Sequence, residues 1–168
     1  MRKALDGLYL ASGVLAAVFL AAIAVVIIIQ VVARLMGIAF DSTEISGFFM
    51  AASTFLGLAC TFRAGGHVRV SLLVNSTEGA RRKLLELWCC VFGALLCAYA
   101  SWHILMFTLE SFEYQDVSPG LMAIPFWIPQ AGMSAGMIIL TIALADAALA
   151  VAAGRRAGYE ENTDTALD

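Results

Sequence analysis

Residues 7–33 read GLYLASGVLAAVFLAAIAVVIIIQVVA, and no charged side chain falls between Asp6 and Arg34. A helix needs about 20 mainly apolar residues to cross the hydrocarbon core of a bilayer, and this run exceeds that length. It predicts a membrane span that is tilted or projects past the lipid. Arg2 and Lys3 precede it, and Ala22-Ile23-Ala24 has the small-residue spacing of a signal cleavage site. The apolar run continues through VVIIIQVVA, far beyond the core of a signal peptide, so an uncleaved anchor is expected.

The rest of the chain repeats the pattern. Ile45–Phe62 and Leu87–Leu109 carry no acidic or basic group apart from His103, and a fourth apolar run extends from about Phe126 to Ala145, next to Asp146. The expectation is an all-α integral membrane protein with four transmembrane helices near 8–34, 45–62, 87–109 and 126–146. These form one domain over 1–156, followed by a polar, acidic tail at 157–168 expected to be disordered. The 168 residues are 61% hydrophobic and 14% charged, against about half and a quarter in soluble domains. No basic tract has the footprint of a nucleic-acid binder. Cys60, Cys89, Cys90 and Cys97 lie inside apolar runs without metal-ligand spacing, so they read as small packed hydrophobes.

Basic residues set the expected orientation. Arg2 and Lys3, then Arg63, Arg69, Arg81, Arg82 and Lys83, then Arg155 and Arg156 all fall on one side of a four-span chain, leaving Arg34 alone on the other. Both termini are therefore expected in the cytoplasm, with Glu110, Glu113 and Asp116 facing outward. DSTE at 41–44 offers Asp41 or Ser42 as an N-cap, and Glu44 in the first turn suits the helix dipole. NSTEGARRKLLELW offers Asn75 or Ser76 as a cap for span three, with Arg81, Arg82 and Lys83 on its cytosolic first turns, and places Trp88 near the headgroups. Val68–Val74 is too short to span and reads as a short interfacial piece. SPGLMAIPFWIPQ at 118–130 contains all three prolines, so it cannot be helical throughout. It reads as a rigid or re-entrant lead into the fourth span, with Trp127 at the interface.

Chemistry inside the membrane is sparse. His103 is the one titratable group deep within a span, and a hydrogen bond to a neighbouring helix is its expected role. A haem anchor using His67 and His103 is the alternative, although the two lie at different depths. Gln30 and Arg34, one turn apart, are expected to meet a partner helix or reach water. No cluster of carboxylates, broken helix pair or inverted repeat suggests an independent carrier. No catalytic, substrate-binding or metal-ligating residue is assigned, and no cofactor is expected in this chain. Small residues instead line spans two and four: Gly47, Ala51, Ser53, Gly57 and Ala59, then Gly132, Ser134, Ala135 and Gly136. Gly132 and Gly136 form a GxxxG pattern, which permits close backbone approach in lipid. Abundant packing faces and few chemical groups suit a structural subunit.

Three local patterns in order resemble the small membrane subunit of tripartite ATP-independent periplasmic (TRAP) transporters, the Q-type small permease, over nearly the whole chain. Glu44 opens span two. GLACTFRAGGHVRV carries the small, basic, glycine, histidine and apolar pattern in Gly57, Ala59, Arg63, Gly66, His67 and Val70. SPGLMAIPFWIPQAGM carries Ser118, Pro125 and Trp127, with Pro129 following. The resemblance implies a bacterial inner-membrane complex in which a periplasmic binding protein captures an organic acid. A large multi-span permease would then move it with a sodium gradient. It also implies that the small subunit is a scaffold, with sodium bound by the partner and not by this chain. Glu44, Gly57, Arg63, Gly66, His67, Ser118, Pro125, Trp127, Gly132 and Gly136 become the structural or partner-interface candidates.

Overall fold

A computed structural model describes residues 2–64, 80–120 and 122–154. Four helices account for most of them: α1 (Arg2–Leu35), α2 (Thr43–Arg63), α3 (Ala80–Glu113) and α4 (Trp127–Ala152). Each is long and apolar enough to cross a membrane. The uncharged run Leu87–Leu109 marks only the hydrocarbon portion of α3. The helix begins at Ala80 and takes in Arg81, Arg82 and Lys83, because a helix that leaves lipid still satisfies its own backbone. α4 likewise continues past Asp146. The interfacial piece at 68–74, the caps Asn75 and Ser76, and the tail at 157–168 lie outside the described residues.

Helix ends follow local chemistry. At the end of α1 the N–H of Gly37 donates to Arg34 O at 3.1 Å and that of Ile38 to Ala33 O at 2.9 Å. Gly37 has φ +75°, the left-handed turn that glycine adopts without a Cβ penalty. Gly154 ends α4 in the same way, with φ +68°. At the start of α2, Asp41 Oδ1 accepts the N–H of Thr43 at 2.9 Å and its hydroxyl at 2.6 Å. Those two donors hold the Asp41 carboxyl below the usual aspartate range. Ser42 occupies the cap position but makes no cap bond. Its buried hydroxyl donates to Gln30 Oε1 on α1, which gives Gln30 a partner within the chain.

Between α3 and α4, residues 116–120 and 122–126 close on each other in a turn. The N–H of Phe126 donates to Asp116 O at 2.9 Å and that of Ser118 to Ile124 O at 2.9 Å, with one antiparallel bridge between Val117 and Pro125. The segment thus folds back on itself ahead of α4, which is the rigid lead that its prolines suggested. Pro129 falls in the first turn of α4, where a helix has no intrahelical use for the missing N–H.

The helices stand in a row, in the order α1, α2, α4, α3. α1 packs on α2, α2 on α4 and α4 on α3, while α1 touches α4 only marginally. Consequently 39% of the α4 span is buried, against 6% for α1 and 11% for α3. Small residues make the close contacts. Ala52, Leu56 and Ala16 form one buried group; Tyr9, Ala59, Phe62, Cys90, Met137, Leu140, Ala143, Ala147 and Val151 form another.

Candidate functional site

Polar side chains are used sparingly, and most of those that face a neighbouring helix are paired. Ser12 donates to Leu56 O at 2.6 Å and Ser53 donates to Ala16 O at 2.9 Å, so α1 and α2 exchange two hydroxyl bonds. Across α3 and α4, Ser101 and Thr141 share a bond of 3.1 Å, and Thr108 and Ser134 one of 2.9 Å. Such rungs remove the penalty of leaving a hydroxyl unpaired in hydrocarbon. None of these pairings was foreseen from sequence; serine or threonine inside an apolar run was the available signal.

The candidate residues separate into three groups. At the end where α1 begins and α2 finishes, Arg63 Nη2 lies 2.6 Å from Asp6 Oδ1. The approach is close but not aligned as a hydrogen bond, so it acts as an ion pair. The guanidinium also sits over the Tyr9 ring, 5.7 Å from its centroid. Asp146 of α4 is within electrostatic reach of the same ring. Asp6, Tyr9, Leu10, Cys60, Arg63 and Ala64 line a small open cavity there of about 280 Å³. Gly66 and His67 lie outside the described residues.

A second group occupies the opposite end. The Glu44 carboxylate packs directly on Gly120, leaving no room for a Cβ at that glycine. Glu44 Oε1 is buried without a hydrogen bond from any described residue. Ser118 closes the 116–126 turn twice, through its N–H and through its hydroxyl, which accepts the N–H of Ile124 at 3.2 Å. Pro125 O accepts the N–H of Ile128 at 3.2 Å in the turn leading into α4. Trp127 starts α4 and meets Phe112 edge-on, with centroids 5.5 Å apart and planes at 88°. The Gly120–Glu44 contact had no signal in the sequence beyond a glycine among prolines.

The third group lies between helices. A Cβ on Gly136 would overlap the Phe55 carbonyl and come within 2.7 Å of Leu56 N, while one on Gly132 would stand 3.3 Å from Ala52 Cβ. Both glycines therefore pack α4 against the parallel α2 inside this chain. Gly57 faces α1, with Ala16 Cβ 3.7 Å from its would-be side chain. His103 makes no hydrogen bond to another described helix of this chain. It is exposed, and its ring packs on Tyr99 of its own helix at 4.4 Å between centroids.

The arrangement is a membrane frame built by close packing, with candidate residues that cap, turn and join helices. The family model for "Tripartite ATP-independent periplasmic transporters, DctQ component" matches residues 23–154, which takes in all or part of each helix. No curated protein and no solved structure matches the chain. With four membrane-spanning helices and a family match across most of its length, the chain belongs to the DctQ family, the small permease component of TRAP transporters.

Proposed function

We propose that this small permease acts as a fixed scaffold for a large multi-span permease in a bacterial inner membrane. The large subunit carries an organic acid delivered by a periplasmic binding protein, and a sodium gradient drives the movement. This chain holds no cofactor, catalyses no reaction and binds no substrate. Its termini lie in the cytoplasm, as the basic residues at the Arg63 end favour.

One observation carries the scaffold reading. The helices form an open row whose outer members, α1 and α3, have spans only 6% and 11% buried. A stand-alone carrier wraps its helices around a central path; a row leaves its outer helices uncovered instead. Families of this kind divide labour between components, and a wide, rigid, chemically sparse face is what a moving partner requires.

Co-expression of this chain with the large permease, followed by detergent purification, tests the proposal. The expected result is one stable complex, with transport in proteoliposomes requiring both chains and the binding protein. Replacing Arg63 and His67 together should weaken assembly or transport without changing which substrate is captured. Transport by this chain alone, or an altered substrate preference in that variant, would overturn the scaffold assignment.

A further inference from the structure

The two outer helices differ in what they show to their surroundings. The exposed large side chains of α1 are Leu8, Leu10, Val14, Leu15, Val18, Leu20 and most of the aliphatic residues that follow to Leu35. Its hydroxyls turn inward: Ser12 bonds α2 and Tyr9 is buried. Such a face asks nothing of its neighbour beyond apolar contact.

α3 is different. Tyr99 is 69% exposed and Trp102 60% exposed, and His103 beside them is also exposed. Positions 99, 102 and 103 are neighbours on a helix surface, and the Tyr99 and His103 rings touch. By helical rise, Tyr99 lies about 16 Å from Glu110 and about 20 Å from Glu86, the charges that bracket the uncharged run. His103 is about 10 Å inside Glu110. These groups are therefore at hydrocarbon depth, below the headgroup level where tyrosine and tryptophan normally rest. Together they offer a phenol, an indole N–H and an imidazole with one donor and one acceptor. None hydrogen-bonds to another described residue. On the inward side of the same helix, Ser101 and Thr108 are both paired with α4.

Unpaired donors and acceptors are costly in hydrocarbon, and lipid tails cannot satisfy them. We infer that the Tyr99–Trp102–His103 face of α3 is the docking surface for a transmembrane helix of the large permease, and that this helix presents a hydrogen-bonding side chain to His103. The inference rests on the scaffold reading and adds to it which side of the row meets the partner; α1 faces lipid. The stripe continues toward Glu86 through Phe92 and Trp88, stacked at 5.3 Å with planes 4° apart, giving the partner helix an aromatic track.

Photo-crosslinking in co-expressed membranes tests it. A benzophenone amino acid is placed at position 99 or 103 on α3, and at 18 or 28 on α1, and adducts are read by the tags on each chain. The expected result is a permease adduct from the α3 sites and none from the α1 sites. Permease adducts from α1 but not α3, with the complex still co-purifying, overturn this inference and leave the scaffold proposal standing. Adducts from none of the sites do the same, and adducts at twice the mass of this chain assign the face to a second copy instead. Failure of the two proteins to co-purify removes both readings. His103→Leu should reduce complex recovery roughly three- to twentyfold, the range for one interhelical hydrogen bond in lipid. The thermal stability of the isolated chain should not fall. An unchanged recovery overturns the role given to His103.

Discussion

Replacing Gly136 with alanine is the sharpest test of how the row is held together. The new Cβ would overlap the Phe55 carbonyl and lie 2.7 Å from Leu56 N, whereas ordinary contact begins at 3.4 Å. The obstruction is backbone, so no side chain can swing away, and α2 and α4 must part by at least about 0.7 Å. Overpacking of this kind costs about 1–3 kcal/mol. Alanine returns up to about 1 kcal/mol of helix propensity, leaving a net loss of up to about 2 kcal/mol when that gain is realised in full. Gly57→Ala supplies the control, because its Cβ would meet only Ala16 Cβ at an ordinary 3.7 Å and keeps the propensity gain. The propensity gain cancels between them, so the two variants should differ by the overpacking cost, about 1–3 kcal/mol. Reversible SDS titration of the purified chain in mixed micelles, followed by circular dichroism, measures that difference. If Gly136→Ala unfolds within about 0.5 kcal/mol of Gly57→Ala, the close α2–α4 contact is wrong and the argument built on it fails.

Gly120→Ala should be milder, below about 1 kcal/mol, because the obstructing group is the mobile end of Glu44 rather than backbone. The double variant with Glu44→Ala should recover the loss, and a non-recovering cycle would place the clash elsewhere. Ser118→Ala removes the acceptor for the Ile124 N–H and should cost about 1–2 kcal/mol. Limited proteolysis should show cleavage within 116–126 at rates above those of the parent chain. Asp41 titrates below its usual value, so its hold on Thr43 is fully present above the ordinary aspartate pKa of 3.8. That hold is lost only as pH falls through the lower folded value. Amide exchange at Thr43 should show that midpoint, and Asp41→Asn should abolish it.

Charge spacing made the four spans legible, because a charge in hydrocarbon is far costlier than any competing local preference. It said less about helix ends. The uncharged run Leu87–Leu109 marks only where α3 meets hydrocarbon. Arg81, Arg82 and Lys83, expected on the first turns of span three, are indeed helical, since leaving lipid does not end a helix. At 118–130 the prolines correctly excluded continuous helix. The pairing of Asp116 with Phe126 and Ser118 with Ile124 depends on a fold-back that proline spacing does not encode. Two acceptable caps, Asp41 and Ser42, stood side by side, and the tertiary pull of Gln30 on the Ser42 hydroxyl divided the roles. The small residues of spans two and four announced close packing but not which helices would meet. His103 was assigned a hydrogen bond to a neighbouring helix, but whether that helix belongs to this chain was not legible, because sequence alone does not show which way a helix face turns.

The order α1, α2, α4, α3 has a consequence for biogenesis. α1 with α2 and α3 with α4 are two helical hairpins, each internally bonded by its own pair of hydroxyl rungs. A seam along α2 joins them, from Glu44 on Gly120, through Ala52 and Phe55–Leu56 on Gly132 and Gly136, to Ala59 and Phe62 in the core shared with α4. During synthesis the first hairpin can leave the insertion machinery complete except for that seam. It must then hold the Ala52 and Phe55–Leu56 face of α2 uncovered in the bilayer until the last helix brings Gly132 and Gly136 against it. A chain severed between Arg63 and Ala80 and expressed as two pieces should therefore still assemble, with the seam alone setting how well the halves find each other.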